Sequence, residues 1–420
     1  MGKLKIFLAY HKKTPVYKSD VFEPVQAGAE LSDIDLGFLK DNQYDNISDL
    51  NSYYCELTMQ YYILKNYLTC CEEEYIGFSH YRRLLDLTKL SPQASVYGLK
   101  YTASLKVFQS FADFDLAKMC APYDIILPCK VYMYKDTVNP MLREDETPLN
   151  MYEQFFIEHH NNLADILREV IAEYYPEFLP ALEKCYGETT GYFYNIYVMK
   201  KEILKEFLLW KFKVLELTGE KAGGWRRACY LRMAGFLGER LINIWLEKNK
   251  DKDYRIGLTP VYMIDFESEY IERANTFDHI GRYDLEIKEL EKLYEYASCK
   301  FKVSSAILNC LSKDKKDIRG YFNTCYNDCK TAEDYNKLAK LLADNNKEAF
   351  KSEIINCYKK ATDMEPKNKL FAVNLLKFCS EFHDMELLYP VWQNMLNYDL
   401  DDKEREKYDR FMKCYKLVHK

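Results

Sequence analysis

Short apolar runs bounded by turn signals recur through the first two thirds of the chain: KIFLAY at 5–10, YIGFS at 75–79, DIILP at 124–128 and YFYNIYVM at 192–199. Each is short enough to be a buried strand. Helical patterns lie between them, the clearest setting Tyr54, Leu57, Tyr61 and Leu64 on one stripe within 53–66. This alternation predicts an α/β layer with a mostly parallel central sheet, whose ligand crevice lies beyond the carboxyl ends of the strands. From about Asn275 the strand-like runs stop, and amphipathic helices follow one another to Lys420 with Pro366 and Pro390 as breakers. Residues 281–297 and 357–378 read as helical hairpins like those of tetratricopeptide repeats, with Pro366 between the two helices of the second. Such a module binds a protein partner or packs on its neighbour. The 420-residue length accommodates two domains, at 1–270 and 275–420.

Composition removes several classes of function. With 59 Lys plus Arg against 65 Asp plus Glu, the net charge of −6 gives no overall pull toward nucleic acid or anionic lipid, so any basic site is local. The 14 cysteines do not fall into metal-ligand pairs. Lone thiols in apolar stretches, and no secretory apolar segment after Met1, predict a reduced cytoplasmic protein. No apolar run approaches the roughly 20 residues that cross a bilayer, which leaves attachment at the inner membrane face open.

The ends of the strands hold the chemistry. After the first comes Tyr10-His11-Lys12-Lys13-Thr14-Pro15, a basic loop that could contact the base or phosphates of a nucleotide or could be a solvated turn. After the second comes His80-Tyr81-Arg82-Arg83. If the strand stays extended there, His80 and Arg82 point to one face and Tyr81 and Arg83 to the other. Adjacent guanidinium groups beside a buried strand need carboxylate or phosphate, so structural ion pairs compete with phosphate recognition. Further on, Glu158-His159-His160-Asn161 offers imidazoles for acid–base or metal chemistry. Neighbouring histidines on a helix diverge by about 100°, which favours hydrogen bonding over a shared ion. Glu239, near the predicted first turn of the helix in GFLGERLINIW at 235–245, suits either a general base or a complement to the helix dipole.

Several blocks in order, namely HKKTPV at 11–16, PVQAGA at 24–29, YDNIS at 44–48, NSYYCELT at 51–58, YIGFSHYRR at 75–83, YDIILP at 123–128, EQFFIEHH at 153–160, GYFYNIYVMKKEI at 191–203 and GFLGERLINIWLEKN at 235–249, together resemble one bacterial family. It is the family long labelled a domain of unknown function in capsular and exopolysaccharide gene clusters, whose members look like glycosyltransferases. The resemblance implies a GT-A-like nucleotide-sugar transferase domain followed by the tetratricopeptide-like all-α domain.

In GT-A enzymes a strand ends in Asp-x-Asp, which binds a divalent cation on the donor diphosphate. His80-Tyr81-Arg82-Arg83 fills that slot here. Three Asp-x-Asp strings do occur, at Asp33/Asp35, Asp113/Asp115 and Asp399/Asp401, but about two are expected by chance and none follows a buried strand. The resemblance, with this departure from Asp-x-Asp, implies no cofactor and no divalent metal, with Arg82 or Arg83, helped by His80 and Lys12, stabilising the leaving diphosphate. It implies His11, Lys12, Asp45, Asn46, Glu56, His80 and Asn195 as donor-binding residues, and Glu239 or His160 as the base. The expected partners are a nucleotide-sugar donor, galactose-type donors included, and a glycan or lipid-linked oligosaccharide acceptor, with no nucleic acid. A non-catalytic scaffold of a polysaccharide assembly complex and a sugar-phosphate transferase are the alternatives.

Overall fold

The computed structural model describes residues 3–92, 100–103, 106–133, 142–143, 147–159, 161–382 and 385–418. The chain divides into two units, Met1–Phe266 and Glu267–Lys420. Strands of the first unit are β1 (Leu4–Tyr10), β2 (Phe22–Gln26), β3 (Leu39–Lys40), β4 (Tyr75–His80), β5 (Arg83–Leu85), β6 (Lys100–Ala103), β7 (Ile125–Pro128), β8 (Val131–Tyr132), β9 (Thr190–Gly191), β10 (Tyr197–Lys200), β11 (Ile256–Thr259) and β12 (Val261–Ile264). Its helices are α1 (Asn51–Tyr54), α2 (Leu57–Asn66), α3 (Lys106–Phe111), α4 (Leu116–Cys120), α5 (Met151–His159), α6 (Leu163–Tyr174), α7 (Leu179–Gly187), α8 (Lys201–Lys221) and α9 (Met233–Lys248).

The main sheet has the order β11-β7-β10-β4-β1-β2-β3, with β5, β6 and β12 joined to it through β4. Its centre is apolar on both faces, because β1 and β4 are covered on each side, which is why they read as unbroken hydrophobic runs. The sheet is mixed, with parallel pairings in the majority and the antiparallel ones gathered at β10 and β5. Strand β1 runs parallel to β2 and β4, whereas β10 runs antiparallel to both β4 and β7. A two-residue link between β4 and β5 can only return the chain antiparallel, and His80 pairs with Arg83 across it. The close approach of β10 to β4 depends on Gly77, where a Cβ would lie 2.6 Å from Val198 Cγ2 and 3.1 Å from the Tyr197 carbonyl oxygen.

Three elements differ from the sequence reading in ways that bear on the site. The strand expected over 192–199 starts only at Tyr197, because Tyr194 and Asn195 adopt φ of 77° and 52° and turn the chain first. The helix expected over 53–66 is broken between α1 and α2, where Cys55 has φ 52°. Helix α9 starts at Met233, so Glu239 lies in its second turn. A dipole role fades beyond the first turn, which removes that alternative for Glu239.

The second unit is helical: α10 (Phe266–His279), α11 (Tyr283–Tyr296), α12 (Lys300–Lys313), α13 (Arg319–Asp328), α14 (Ala332–Asn346), α15 (Lys351–Met364), α16 (Lys369–Ser380), α17 (Met385–Met395) and α18 (Asp402–Val418). Consecutive helices bury two apolar clusters, one around Leu290, Leu293 and Ile307, the other around Leu338, Ile354, Phe371 and Trp392. Pro366 lies in the short connection between α15 and α16. Pro390, read as a breaker, sits inside α17. The helix continues past it because the proline removes only one backbone donor and the flanking residues Leu388, Val391 and Trp392 are buried.

Candidate active site

Two adjoining cavities open beyond the carboxyl ends of β1 and β4. The larger, of about 370 Å³, is lined by His11 after β1, by His80, Arg82 and Arg83 at the turn after β4, and by Arg232 ahead of α9. The smaller, of about 170 Å³, is lined by Glu158 and His159 of α5, Tyr194, and Phe236, Glu239 and Arg240 of α9. Cys55, Glu56, Arg83 and Arg232 border both. Cations predominate in the larger chamber, and the smaller one sets Glu56, Glu158 and Glu239 among Arg83, Arg232 and Arg240.

The turn after β4 corrects the extended reading. Because the chain reverses at Tyr81-Arg82, the two arginines do not diverge to opposite faces: His80, Arg82 and Arg83 all line the larger cavity while Tyr81 is buried. Arg82 lies over the Tyr81 ring at 5.2 Å and Arg83 over the Tyr194 ring at 4.9 Å. Arg232, at the left-handed N-cap of α9 (φ 66°), lies over Phe236 at 5.1 Å, and its backbone N–H donates to the Ser52 carbonyl. Among the described residues none of these three guanidinium groups forms a salt bridge with a carboxylate. They are held in place by stacking, with their forked donors left for another anion.

The imidazoles in this chamber are kept neutral. Burial, reinforced by Arg83, His11 and Arg82, lowers the His80 pKa well below its usual value. His80 Nδ1 is buried with no hydrogen-bond partner among the described residues. His11 is likewise lowered, by partial burial first and then by Lys12, Arg82 and Arg232, although the residue is exposed at the cavity mouth. Both rings therefore serve as neutral hydrogen-bonding groups near pH 7, and the positive charge belongs to the arginines.

On the other side, Glu239 Oε1 accepts from the Tyr194 backbone N–H at 3.1 Å, and its Oε2 lies 3.6 Å from Arg240. Burial raises the Glu239 pKa, with Arg240 opposing the rise. Glu158 is also raised by burial. Arg240 is itself buried, donating to the Phe236 carbonyl and to Gln154 and lying over Phe155 at 4.9 Å. Glu56 stands where α2 begins, and its Oε1 accepts from Asn195 Nδ2 at 2.7 Å. The left-handed turn at Tyr194-Asn195 thus supplies a backbone donor to one glutamate and a side-chain donor to the other.

Of the residues singled out in the sequence, His11, Glu56, His80, Arg82, Arg83 and Glu239 line these cavities, and Asn195 supports Glu56 from behind. Lys12 is half-buried in the loop after His11, outside the lining residues. Asp45 and Asn46 are not brought to the cavities. Asp45 accepts from Tyr61 and pairs with Lys65, while Asn46 bonds within its own turn to the Tyr44 carbonyl and the Ser48 N–H. His160 lies outside the described residues, and its neighbour His159 stacks on Phe236 at 4.4 Å. Arg232 and the buried Lys211 were not singled out. The arginine-rich WRRACYLR stretch at 225–232, just before a helix, was the available signal for the first.

The Asp-x-Asp strings have local duties. Asp35 pairs with Lys40, Asp115 caps α4, and Asp401 accepts from the Glu404 N–H at the start of α18. Among the described residues no group of three or more His, Cys, Asp or Glu is arranged to hold a metal ion. Among them, too, no helix is long and apolar enough to cross a membrane.

Comparison with known proteins bears on the first unit. A solved structure described as the WbbM bifunctional glycosyltransferase in its apo form shares the fold, with TM-score 0.53 and 24% identity over 63% of this chain. The match covers 45% of that chain, so this protein spans under half of its relative. The C-terminal part of a TPR repeat-containing protein from Cytophaga hutchinsonii aligns over 61% of this chain and 97% of its own at 11% identity, but its TM-score of 0.26 supports no structural argument. No curated protein matches the chain. Residues 5–250, more than half the chain, match the family described as a domain of unknown function (DUF4422), and the protein belongs to that family.

Proposed function

We propose that the first unit is a glycosyltransferase that moves a sugar from a nucleoside-diphosphate donor to a hydroxyl of a growing surface glycan of the capsule, exopolysaccharide or lipopolysaccharide type, without a divalent metal. One observation carries this reading: three arginines with no carboxylate partner among the described residues face one cavity beyond the strand ends, and Glu56, Glu158 and Glu239 face the next. The shared fold with a bifunctional glycosyltransferase supports it.

In this reading the diphosphate lies among Arg82, Arg83 and Arg232, whose fixed charge is in place before the leaving group develops its own. His11 and His80 contribute neutral hydrogen bonds to the donor. An acceptor hydroxyl oxygen attacks the anomeric carbon from the smaller cavity, the bond from that carbon to the phosphate oxygen breaks, and its electron pair leaves on the diphosphate. The hydroxyl proton passes to Glu239, whose pKa burial raises and which is thereby a stronger base than an exposed carboxylate. Glu56, on the border, binds a hydroxyl of the donor sugar through a bond that strengthens as positive charge develops at the anomeric carbon, so its placement counts mainly in the transition state. A galactose-type hexose donor and a lipid-linked acceptor at the inner membrane face complete the proposal, with the helical unit as a docking module for a protein partner.

The test is turnover of a panel of nucleotide sugars by the purified protein, with and without chelator. Donor hydrolysis or transfer that survives the chelator is expected. Activity abolished by chelator and restored by manganese would overturn the metal-free mechanism. Label from the donor phosphate in the product would select sugar-phosphate transfer, and diphosphate binding without turnover of any donor would select the scaffold.

A further inference from the structure

Behind the candidate active site lies a buried polar group that the proposed reaction does not use. Lys211, in the middle of α8, is fully buried. Its Nζ donates to Asn195 Oδ1 at 3.0 Å and to Gln60 Oε1 at 3.2 Å. Gln60 in turn accepts from the Tyr197 hydroxyl at 2.7 Å and donates to the Asn195 carbonyl at 2.8 Å. Asn195 Nδ2 then donates both to Glu56 and to the Gly235 carbonyl. Every polar atom of the Asn195 amide is thereby assigned.

Lys211 decides which way that amide faces. Rotating it by half a turn would set its NH2 against the lysine nitrogen and its oxygen against the Glu56 carboxylate and the Gly235 carbonyl, three repulsive contacts in place of three bonds. The backbone makes room for the arrangement: at Gly238 of α9 a Cβ would come within 2.7 Å of Leu57 Cδ1, 3.1 Å of Lys211 Cε and 3.3 Å of Asn195 Oδ1. Burial lowers the Lys211 pKa to about 7, and a neutral amine still has two N–H groups for the two amide oxygens it meets. A methionine of similar length would fill this space without desolvating an amine. The amine is a costly choice for packing alone.

We propose that Lys211 is a positioning residue for Glu56: by holding Asn195 Oδ1 it keeps Asn195 Nδ2 on the carboxylate that borders both cavities, and so fixes where that carboxylate points. This rests on the transferase reading for its kinetic consequence but not for its geometry. With a donor that is turned over, Lys211→Met is expected to lower kcat by about tenfold or more while donor KM changes by less than about twofold. In a Glu56→Gln background the same substitution is expected to cost less than about twofold, because its route to the site is already cut. Losses that multiply in the double variant, or an unchanged kcat in the single one, would overturn the proposal. A crystal structure of Lys211→Met gives a readout that needs no activity. The Asn195 amide turned away from Glu56 is expected, and a retained Asn195–Glu56 hydrogen bond refutes the inference even if no donor is ever found. Lys211→Leu is the second variant should the first fail to fold.

Discussion

Arg83 borders both cavities, stacks on Tyr194 and has no carboxylate partner among the described residues, so its forked donors are available to a diphosphate. Arg83→Gln is expected to weaken nucleoside-diphosphate binding by about 1.5–3 kcal/mol, roughly ten- to hundredfold, by calorimetry with uridine, guanosine and thymidine diphosphates. Arg83→Lys should recover only part of this, since an ammonium lacks the planar fork. Full affinity in the lysine variant would argue for a simple point charge. Glu239→Gln keeps the shape and the bond from Tyr194 but cannot take a proton, so kcat should fall by about 10²–10⁴ with donor binding retained. Near-normal turnover would remove Glu239 as the base. Lys211 binds its proton less tightly in the folded chain, at about 7, than at its usual 10.5. Between those values the unfolded chain holds the extra proton, so stability should rise with pH across that window and the rise should vanish in Lys211→Met. Urea denaturation of both proteins across the window measures this, and parallel curves would contradict the buried amine. Lys211 was visible in the sequence as the one polar break in a stripe of Leu204, Phe207, Leu208 and Leu215 on α8. What it meets across the core was not, because Gln60 and Asn195 lie 151 and 16 residues away in sequence.

Among the elements, β1, β4 and β7 were readable because burial on both faces leaves a continuous apolar run that side-chain chemistry alone announces. The direction of β10 was not readable. A strand has the same pattern whichever way it runs, and its orientation follows from the turn at Tyr194-Asn195 and the exit into α8. The same holds for the hairpin at Tyr81-Arg82, which gathers two arginines that an extended strand would have separated. Gly77 tests the β4–β10 contact. Gly77→Ala places a methyl against the Tyr197 carbonyl, a backbone atom that cannot rotate aside, and should destabilise by about 1–3 kcal/mol in thermal or urea melts. An unaltered melting point would mean that β10 has more room than its position beside β4 allows.

For the whole chain, the residues lining both cavities belong to the unit Met1–Phe266, which has its own sheet and core. Residues 1–266 expressed alone are expected to bind nucleoside diphosphate with the affinity of the full chain, measured by thermal shift, since ligand binding to the folded state raises its melting point. Loss of binding in a soluble, folded fragment would place part of the site in the helical unit. Periodicity and turn chemistry along the chain were enough to specify an α/β layer giving way to helical hairpins, because those signals are local and each residue reports its own burial. The working surface required distant segments to meet. His11, Glu56, Arg83 and the α9 pair Arg232 and Glu239 come from four separate stretches of chain, and which charges end up paired, stacked or exposed to a cavity depends on contacts that no local pattern encodes.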